Sequence, residues 1–293
     1  MTETTYPTAS NIRLLVSDVD GTLLNSKGQL SEKTIEVIQK VTKQYPLVKF
    51  VISTGKSEHA IQPLRDQLKL NDTPNHPTSC INGCVIYNEN NKVIKEYIIP
   101  PESVIDIINL CENYLKDKTL FSFGCYSRND MIFIRKDFHY HRLRDFYNEN
   151  TVYIEREEFF QRVLSSDISI NKICIFNKDI DVIKEFRKIK LEPFIETNSV
   201  LCMTQTGADC LEVMPKDGNK GSSLKNLLET YQFTNDQVIV FGDGENDIPM
   251  FDVSAHGVAM ENAVDCLKEH ANYISKSNDE DGLAVFLEKV FLS

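Results

Sequence analysis

Basic residues are in short supply in this chain of 293 residues: 32 lysines and arginines stand against 43 aspartates and glutamates, a formal charge of −11. That balance argues against general attraction to nucleic acid or an anionic membrane, while leaving room for a local basic site. No apolar run approaches the length that crosses a bilayer, and the stretch Met1 to Asn11 lacks the basic-then-apolar order of a secretory signal. A cytoplasmic location is therefore expected. The eight cysteines, at positions 80, 84, 111, 125, 174, 202, 210 and 266, lack the short paired spacings of a zinc site. Thiols scattered in this way are expected to be reduced and mostly buried. Cys80 and Cys84, on either side of Ile81-Asn82-Gly83, suit either a redox pair or two small core thiols. Internal repeats, low-complexity tracts and Gly/Ser linkers are also missing, so separate units would be joined by short hinges.

What is present is an ordinary globular composition, 41% hydrophobic and 26% charged, in a chain long enough for two domains. Short apolar runs predict buried strands at Ile12 to Ser17, Val48 to Ser53, Ser79 to Ile81, Val238 to Phe241 and Gly257 to Met260. Helical patterns separate several of them. Ser31 is a candidate N-cap ahead of Ile35, Ile38 and Val41 at helical spacing, and a second helix is expected from about Ser57. Alternating strand and helix predict an α/β fold with a parallel sheet, whose ligands lie beyond the carboxyl ends of the strands. Between about Ile99 and Thr206 the texture changes. A helix is expected there from Glu102 to about Leu115, with Val104, Ile107, Ile108 and Cys111 as its apolar stripe, and strands at Met131 to Ile134 and Lys172 to Phe176. An inserted α+β unit at 99–206, within a core formed by 1–98 and 207–293, is the expected organisation.

The polar residues that follow the predicted strands carry the chemistry. Asp18 and Asp20 stand one residue apart after the first run, and alternation would give them a common face if the strand continued, with Gly21 turning the backbone just beyond. Left alone, two such carboxylates repel and one takes up a proton, whereas a divalent cation lets one remain anionic while the other acts as an acid. Thr54 and Gly55 follow the second run, and Asn82 and Gly83 the third. Lys220 lies at a predicted helix start, where free backbone amides favour anions. Asp243 follows the run Val238 to Phe241, with Asp247 four residues on, a set of hard oxygen donors suited to magnesium.

Together, Asp18-Val19-Asp20-Gly21-Thr22, Ser53-Thr54-Gly55-Lys56, Lys220-Gly221 and Gly242-Asp243-Gly244-Glu245-Asn246-Asp247 resemble the four ordered motifs of the haloacid dehalogenase-like phosphatases. Ile81-Asn82-Gly83, Gly257 to Ala263 and Ser277 to Gly282 further resemble the Cof-type branch, which carries a large cap after the third core strand. The resemblance implies a Rossmann-like parallel-sheet core with an inserted α+β cap. It also implies that Asp18 is the nucleophile, forming an aspartyl-phosphate, and that Asp20 protonates the leaving oxygen and later activates water. Magnesium would be held by Asp18, Asp243 and the backbone carbonyl of Asp20, with Asp247 in support. Thr54, with Gly55 beside it, Asn246 and Lys220 would bind the phosphoryl oxygens, and Lys220 would also hold the Asp18 carboxylate in line. Lys56 departs from the arginine of many relatives and lacks its planar donor fork. It either touches substrate or faces solvent or caps a helix. Asn82 and Asn262 suit a turn or helix cap as well as a substrate role, and Gly83 and Arg128 are further candidates for substrate contact.

Within the insert, Arg135, Lys136, His139, His141, Arg142 and Arg144 are interrupted by Asp137 and Asp145. Such a cluster would either receive a second anionic group of the substrate or form a salt-bridged surface. Arg128 and Tyr126 are candidates for a loop closing over the site. The expected activity is magnesium-dependent hydrolysis of a small phosphorylated metabolite, a sugar phosphate or a phosphorylated cofactor such as pyridoxal phosphate or flavin mononucleotide. Neither nucleic acid nor membrane is an expected partner. A phosphotransferase or phosphomutase and a non-catalytic binding protein are the alternatives. The complete acidic set argues against the last.

Overall fold

Fourteen strands form from the apolar runs in the computed structural model, which describes residues 6–72, 75–114, 121–205 and 208–293. In chain order they are β1 (Leu14–Ser17), β2 (Lys49–Ser53), β3 (Thr78–Cys80), β4 (Val85–Tyr87), β5 (Val93–Glu96), β6 (Ser122–Ser127), β7 (Asp130–Phe133), β8 (Asn150–Tyr153), β9 (Lys172–Phe176), β10 (Leu201–Gln205), β11 (Cys210–Pro215), β12 (Val238–Gly242), β13 (His256–Ala259) and β14 (Tyr273–Ile274). They make two sheets, ordered β14-β13-β12-β1-β2-β3-β4-β5 and β10-β11-β9-β6-β7-β8. The five expected core strands are all present. Ile81, expected in the third, instead opens the turn after β3.

Chain contacts define two compact units, one of Met1–Gly55, Gln62–Lys95 and Asn219–Ser293, the other of Lys56–Ile61 and Glu96–Gly218. The expected return to the core at 207 therefore comes too early, because β11 pairs with both β9 and β10 and keeps Cys210–Pro215 in the second sheet. Thr206 and Gly207, like Leu115 at the expected end of the insert's first helix, lie outside the described residues.

In the first unit, β14, β13, β12, β1, β2 and β3 run parallel, and β4 pairs antiparallel with β3. Leu14, Leu15 and Val16 are all buried, as a strand covered on both faces requires. The helix Glu32–Gln44 buries Thr34, Val37, Ile38 and Val41, and Ser31 Oγ accepts from Thr34 N at 3.0 Å, the expected N-cap. From β1 the chain proceeds to β2 on one side, while β12 flanks β1 on the other. This reversal of strand order opens a crevice at the carboxyl ends of β1 and β12.

The second unit is an α+β assembly. Its sheet is antiparallel except for the β7–β8 pair, and the helix Pro101–Tyr114 buries Val104, Ile107, Ile108 and Cys111 in a core with Phe123, Ile173 and Leu211. The cysteines are free, and all but Cys202 and Cys266 are buried. Cys80 and Cys84 are thus two core thiols. No helix among the described residues is long and apolar enough to cross a membrane.

Candidate active site

Strand register creates the acidic centre. Ser17 pairs with Phe241, and Asp18 N donates to Phe241 O at 3.0 Å, so the residues leaving β1 and β12 emerge side by side. Asp18, Asp243 and Asp247 each bring a carboxylate oxygen within 4.8 Å of the others. Two glycines permit the approach. A Cβ on Gly21, whose φ is +83°, would overlap the Asp243 carboxylate, and one on Gly242 would lie 2.6 Å from that of Asp247.

Lys220 opens the helix Lys220–Tyr231 and is completely enclosed. Its Nζ lies 2.5 Å from Asp18 Oδ1 and 2.6 Å from Asp247 Oδ1. Burial alone would depress this ammonium, but the two aspartates outweigh it and hold the group above its ordinary value. Asp247 is committed at both ends, since its Oδ2 accepts from the backbone N of Asp243 and of Gly244, each at 3.0 Å. Burial pushes the Asp18 carboxyl up to about 7; Lys220 opposes the rise, and Asp247 and Asp243 add to it. Asp243 is pushed up to about 6, chiefly by burial, against a 2.7 Å hydrogen bond from Thr22 Oγ1 to its Oδ1. One ammonium thus faces three carboxylates, and burial chiefly, with the neighbouring carboxylates adding to it, raises Asp18 and Asp243. A divalent cation fits such a donor set.

Asp20 stands apart from this cluster. The strand ends at Ser17, so alternation does not bring Asp20 into the buried group; it is exposed, on a tight loop where the Leu23 and Leu24 amides both return to Val19 O, though close enough to Asp243 to raise its pKa. Thr22, to which the motif assigns no separate task, is revealed by the fold as the donor to Asp243.

Thr54 is buried at the end of β2, where its N donates to Ser79 O at 2.9 Å and its O accepts from Asn82 N at 2.8 Å. Asn82 Oδ1 accepts from Asn246 Nδ2 at 3.2 Å, and it would lie 3.0 Å from a Cβ on Gly55. Gly55, Thr54, Asn82 and Asn246 are therefore neighbours, with Asn82 as the polar link. Ile81, Asn82 and Gly83 all have positive φ, of 54°, 57° and 98°, a run that only tertiary contacts sustain. Gly83 packs against the Asn219–Lys220 backbone, where a Cβ would overlap Asn219 O. Its role there is close approach of two backbones.

The second unit answers the remaining expectations. Lys56 is half-buried in the short segment that groups with this unit. Arg128 turns the β6–β7 hairpin and places its Nη2 2.6 Å from Glu96 Oε2, so its guanidinium is committed to an ion pair. Tyr126, expected on a loop, is a buried residue of β6 whose hydroxyl donates to Glu149 at 2.8 Å. In the basic cluster Arg135 pairs with Glu112, Arg142 with Asp209 and Arg144 with Asp145, while His139 is buried against Phe176. The salt-bridged reading fits these contacts.

An α/β core with an acidic, lysine-braced centre at the ends of β1 and β12 defines a phosphoryl-handling hydrolase class. The chain belongs to the haloacid dehalogenase-like hydrolase family, which it matches over residues 15–287, and within that family it is a phosphatase. It is 25% identical to the 5-amino-6-(5-phospho-D-ribitylamino)uracil phosphatase YwtE of Bacillus subtilis, over 95% of this chain and 98% of the relative. It is 28% identical to the pyridoxal phosphate phosphatase YbhA of Escherichia coli, over 94% and 97% respectively. A haloacid dehalogenase-like hydrolase from Bacteroides thetaiotaomicron has the same fold, with a TM-score of 0.80 at 28% identity, covering 96% of this chain and all of that one.

Proposed function

We propose that the protein is a magnesium-dependent phosphomonoesterase that hydrolyses a small phosphorylated metabolite through an aspartyl-phosphate on Asp18. The observation that carries this reading is the enclosure of Lys220 between Asp18 and Asp247 beside Asp243. In the first step an oxygen of Asp18 attacks phosphorus, the bond from phosphorus to the ester oxygen breaks, and Asp20 gives that oxygen its proton. An alkoxide leaves poorly at neutral pH, so the positioned acid lowers the barrier. In the second step the deprotonated Asp20 takes a proton from water, whose oxygen attacks the same phosphorus and releases inorganic phosphate and the Asp18 carboxylate. Lys220 keeps Asp18 in line and, with Thr54 and Asn246, binds phosphoryl oxygens. Magnesium held by Asp18, Asp243 and the Asp20 carbonyl, with Asp247 behind them, would offset the negative charge that nucleophile and phosphate bring together.

Phosphorylated cofactors and sugar phosphates are the substrate classes proposed. The relatives named for pyridoxal phosphate and for a phosphoribityl uracil support the first. The experiment is a screen of purified protein against phosphorylated metabolites, scored by kcat/KM and free phosphate, with Asp18→Asn as control. Phosphate release that survives in the control would refute the nucleophile. Conversion of a hexose phosphate to its isomer without free phosphate would make the enzyme a mutase instead.

A further inference from the structure

Asn262 and Asn278 belong to the stretches Gly257 to Ala263 and Ser277 to Gly282, which no step above uses, yet both side chains end on the loop that carries Asp20. Nδ2 of Asn262 donates to the Gly21 carbonyl at 2.8 Å, and its Oδ1 accepts from Asn278 N at 2.9 Å. Nδ2 of Asn278 in turn donates to the Leu24 carbonyl at 2.9 Å, and Asp279 Oδ1 accepts from Ser26 N at 2.8 Å. Residues near the end of the chain thereby hold both arms of the turn that follows β1. Their grip matters because Asp20 is exposed on this loop, so the course of the loop backbone governs where its carboxylate can reach.

We propose that Asn262 and Asn278 are positioning residues for the acid–base step, a two-asparagine clasp that sets where Asp20 presents and recovers its proton. The proposal rests on the reading of Asp20 as that acid. Asparagine suits the task because one short side chain offers a donor and an acceptor at once, and Asn262 uses both. Aspartate would keep the acceptor for Asn278 N but turn a negative oxygen toward the Gly21 carbonyl. The two bonds of Asn262 are exposed and that of Asn278 to Leu24 is part-buried, and each contributes only about 0.5–1.5 kcal/mol to stability, so its loss leaves the fold intact. Loss of placement at the proton-transfer site is a separate and larger effect, since positioned proton transfer contributes about 10²–10⁴ in rate.

The two effects separate on esters of different leaving group. The alkoxide of glycerol phosphate needs a proton to depart, whereas the phenolate of p-nitrophenyl phosphate departs with little help. In full-length, magnesium-loaded enzyme, Asn262→Asp and Asn278→Asp are expected to lower kcat/KM for glycerol phosphate by about tenfold or more, and for p-nitrophenyl phosphate by less than about threefold. The ratio kcat/KM reports the steps up to capture of the phosphoryl group, so slow hydrolysis of the aspartyl-phosphate does not mask the difference. Without metal or substrate, amide hydrogen exchange at 21–26 should be faster in both variants than in the native chain. Equal losses on the two esters, unchanged rates on both, or an unaltered exchange profile would each overturn the clasp. A native enzyme that releases no phosphate from either ester or from any of the phosphorylated metabolites screened would instead be the failure of the phosphatase reading.

Discussion

Nζ of Lys220 lies 2.5 Å from Oδ1 of Asp18, two residues 202 positions apart in the chain. The register of β1 against β12 and the close approach of Gly83 to the start of the helix Lys220–Tyr231 bring them together. Lys220→Ala would leave Asp18 and Asp247 buried without their shared cation. A loss of about 3–5 kcal/mol in urea unfolding is expected, as for any buried pair stripped of one partner. Turnover should vanish with it, and a variant of native stability would mean that the carboxylates find another partner.

Magnesium affinity should depend on pH in a definite direction. Burial places Asp18 at about 7 and Asp243 at about 6 in the metal-free protein, so protons compete with the ion across that range. Calorimetric titration is expected to show binding that weakens as pH falls from above 7 through 6, with protons released on binding. EDTA should abolish activity and added magnesium restore it. Affinity independent of pH would place the ion elsewhere.

His76 makes folding stability depend on pH. Phe50 N donates to its Nδ1 at 3.0 Å, and burial, reinforced by Arg65 and Lys49, holds its pKa down at about 4. The unfolded chain binds the proton more readily, so this contribution is complete above the ordinary histidine value of about 6.5 and is lost as pH falls toward 4, by about 3 kcal/mol at most. In His76→Gln the decline of urea stability between these pH values should be shallower than in the native protein.

Much of this was legible in the residues because strand ends announce themselves: an apolar run followed by Asp18, Thr54 or Asp243 reads directly as a parallel strand and its ligand-bearing loop. The helix cap at Ser31 was equally local. The parts that escaped are settled by distant pairing. Cys210 to Pro215 looks like core sequence until β9 and β10 claim it for the second sheet. Asn262 is an ordinary turn asparagine until the fold brings Gly21 to it. Tyr126 looked like a loop residue because a strand of mixed composition, Ser-Phe-Gly-Cys-Tyr-Ser, carries no clear alternation.

The buried pair Lys172–Glu212, 2.8 Å apart in the second sheet, separates the worth of an ion pair from the penalty of breaking it. Lys172→Met alone should destabilise by about 3–5 kcal/mol, because the buried Glu212 loses the cation that balances its charge. The double variant Lys172→Met with Glu212→Leu is expected to lie close to the native protein or above it in thermal stability, since both desolvation penalties disappear. A double variant as unstable as the single one would show that the pair is needed for packing and not only for charge balance.

Gly83→Ala tests whether the lysine is placed by backbone contact. Gly83 holds φ at +98°, where an alanine is strained, and its added Cβ would overlap Asn219 O, the carbonyl just ahead of Lys220. The turn cannot relax by itself, because Ile81 and Asn82 before it are also at positive φ. The start of the helix must therefore move, and Lys220 with it. A stability loss of about 1–3 kcal/mol is expected from strain and overpacking. The activity loss should exceed what that destabilisation explains, because the variant remains folded at 25 °C while the ammonium no longer meets Asp18 and Asp247 squarely. Measured at saturating magnesium, kcat should fall at least about tenfold, a displacement of order 1 Å being enough to cost that much. Full activity in a destabilised Gly83→Ala would show that Lys220 keeps its place without this contact, and that the two aspartates alone draw it in.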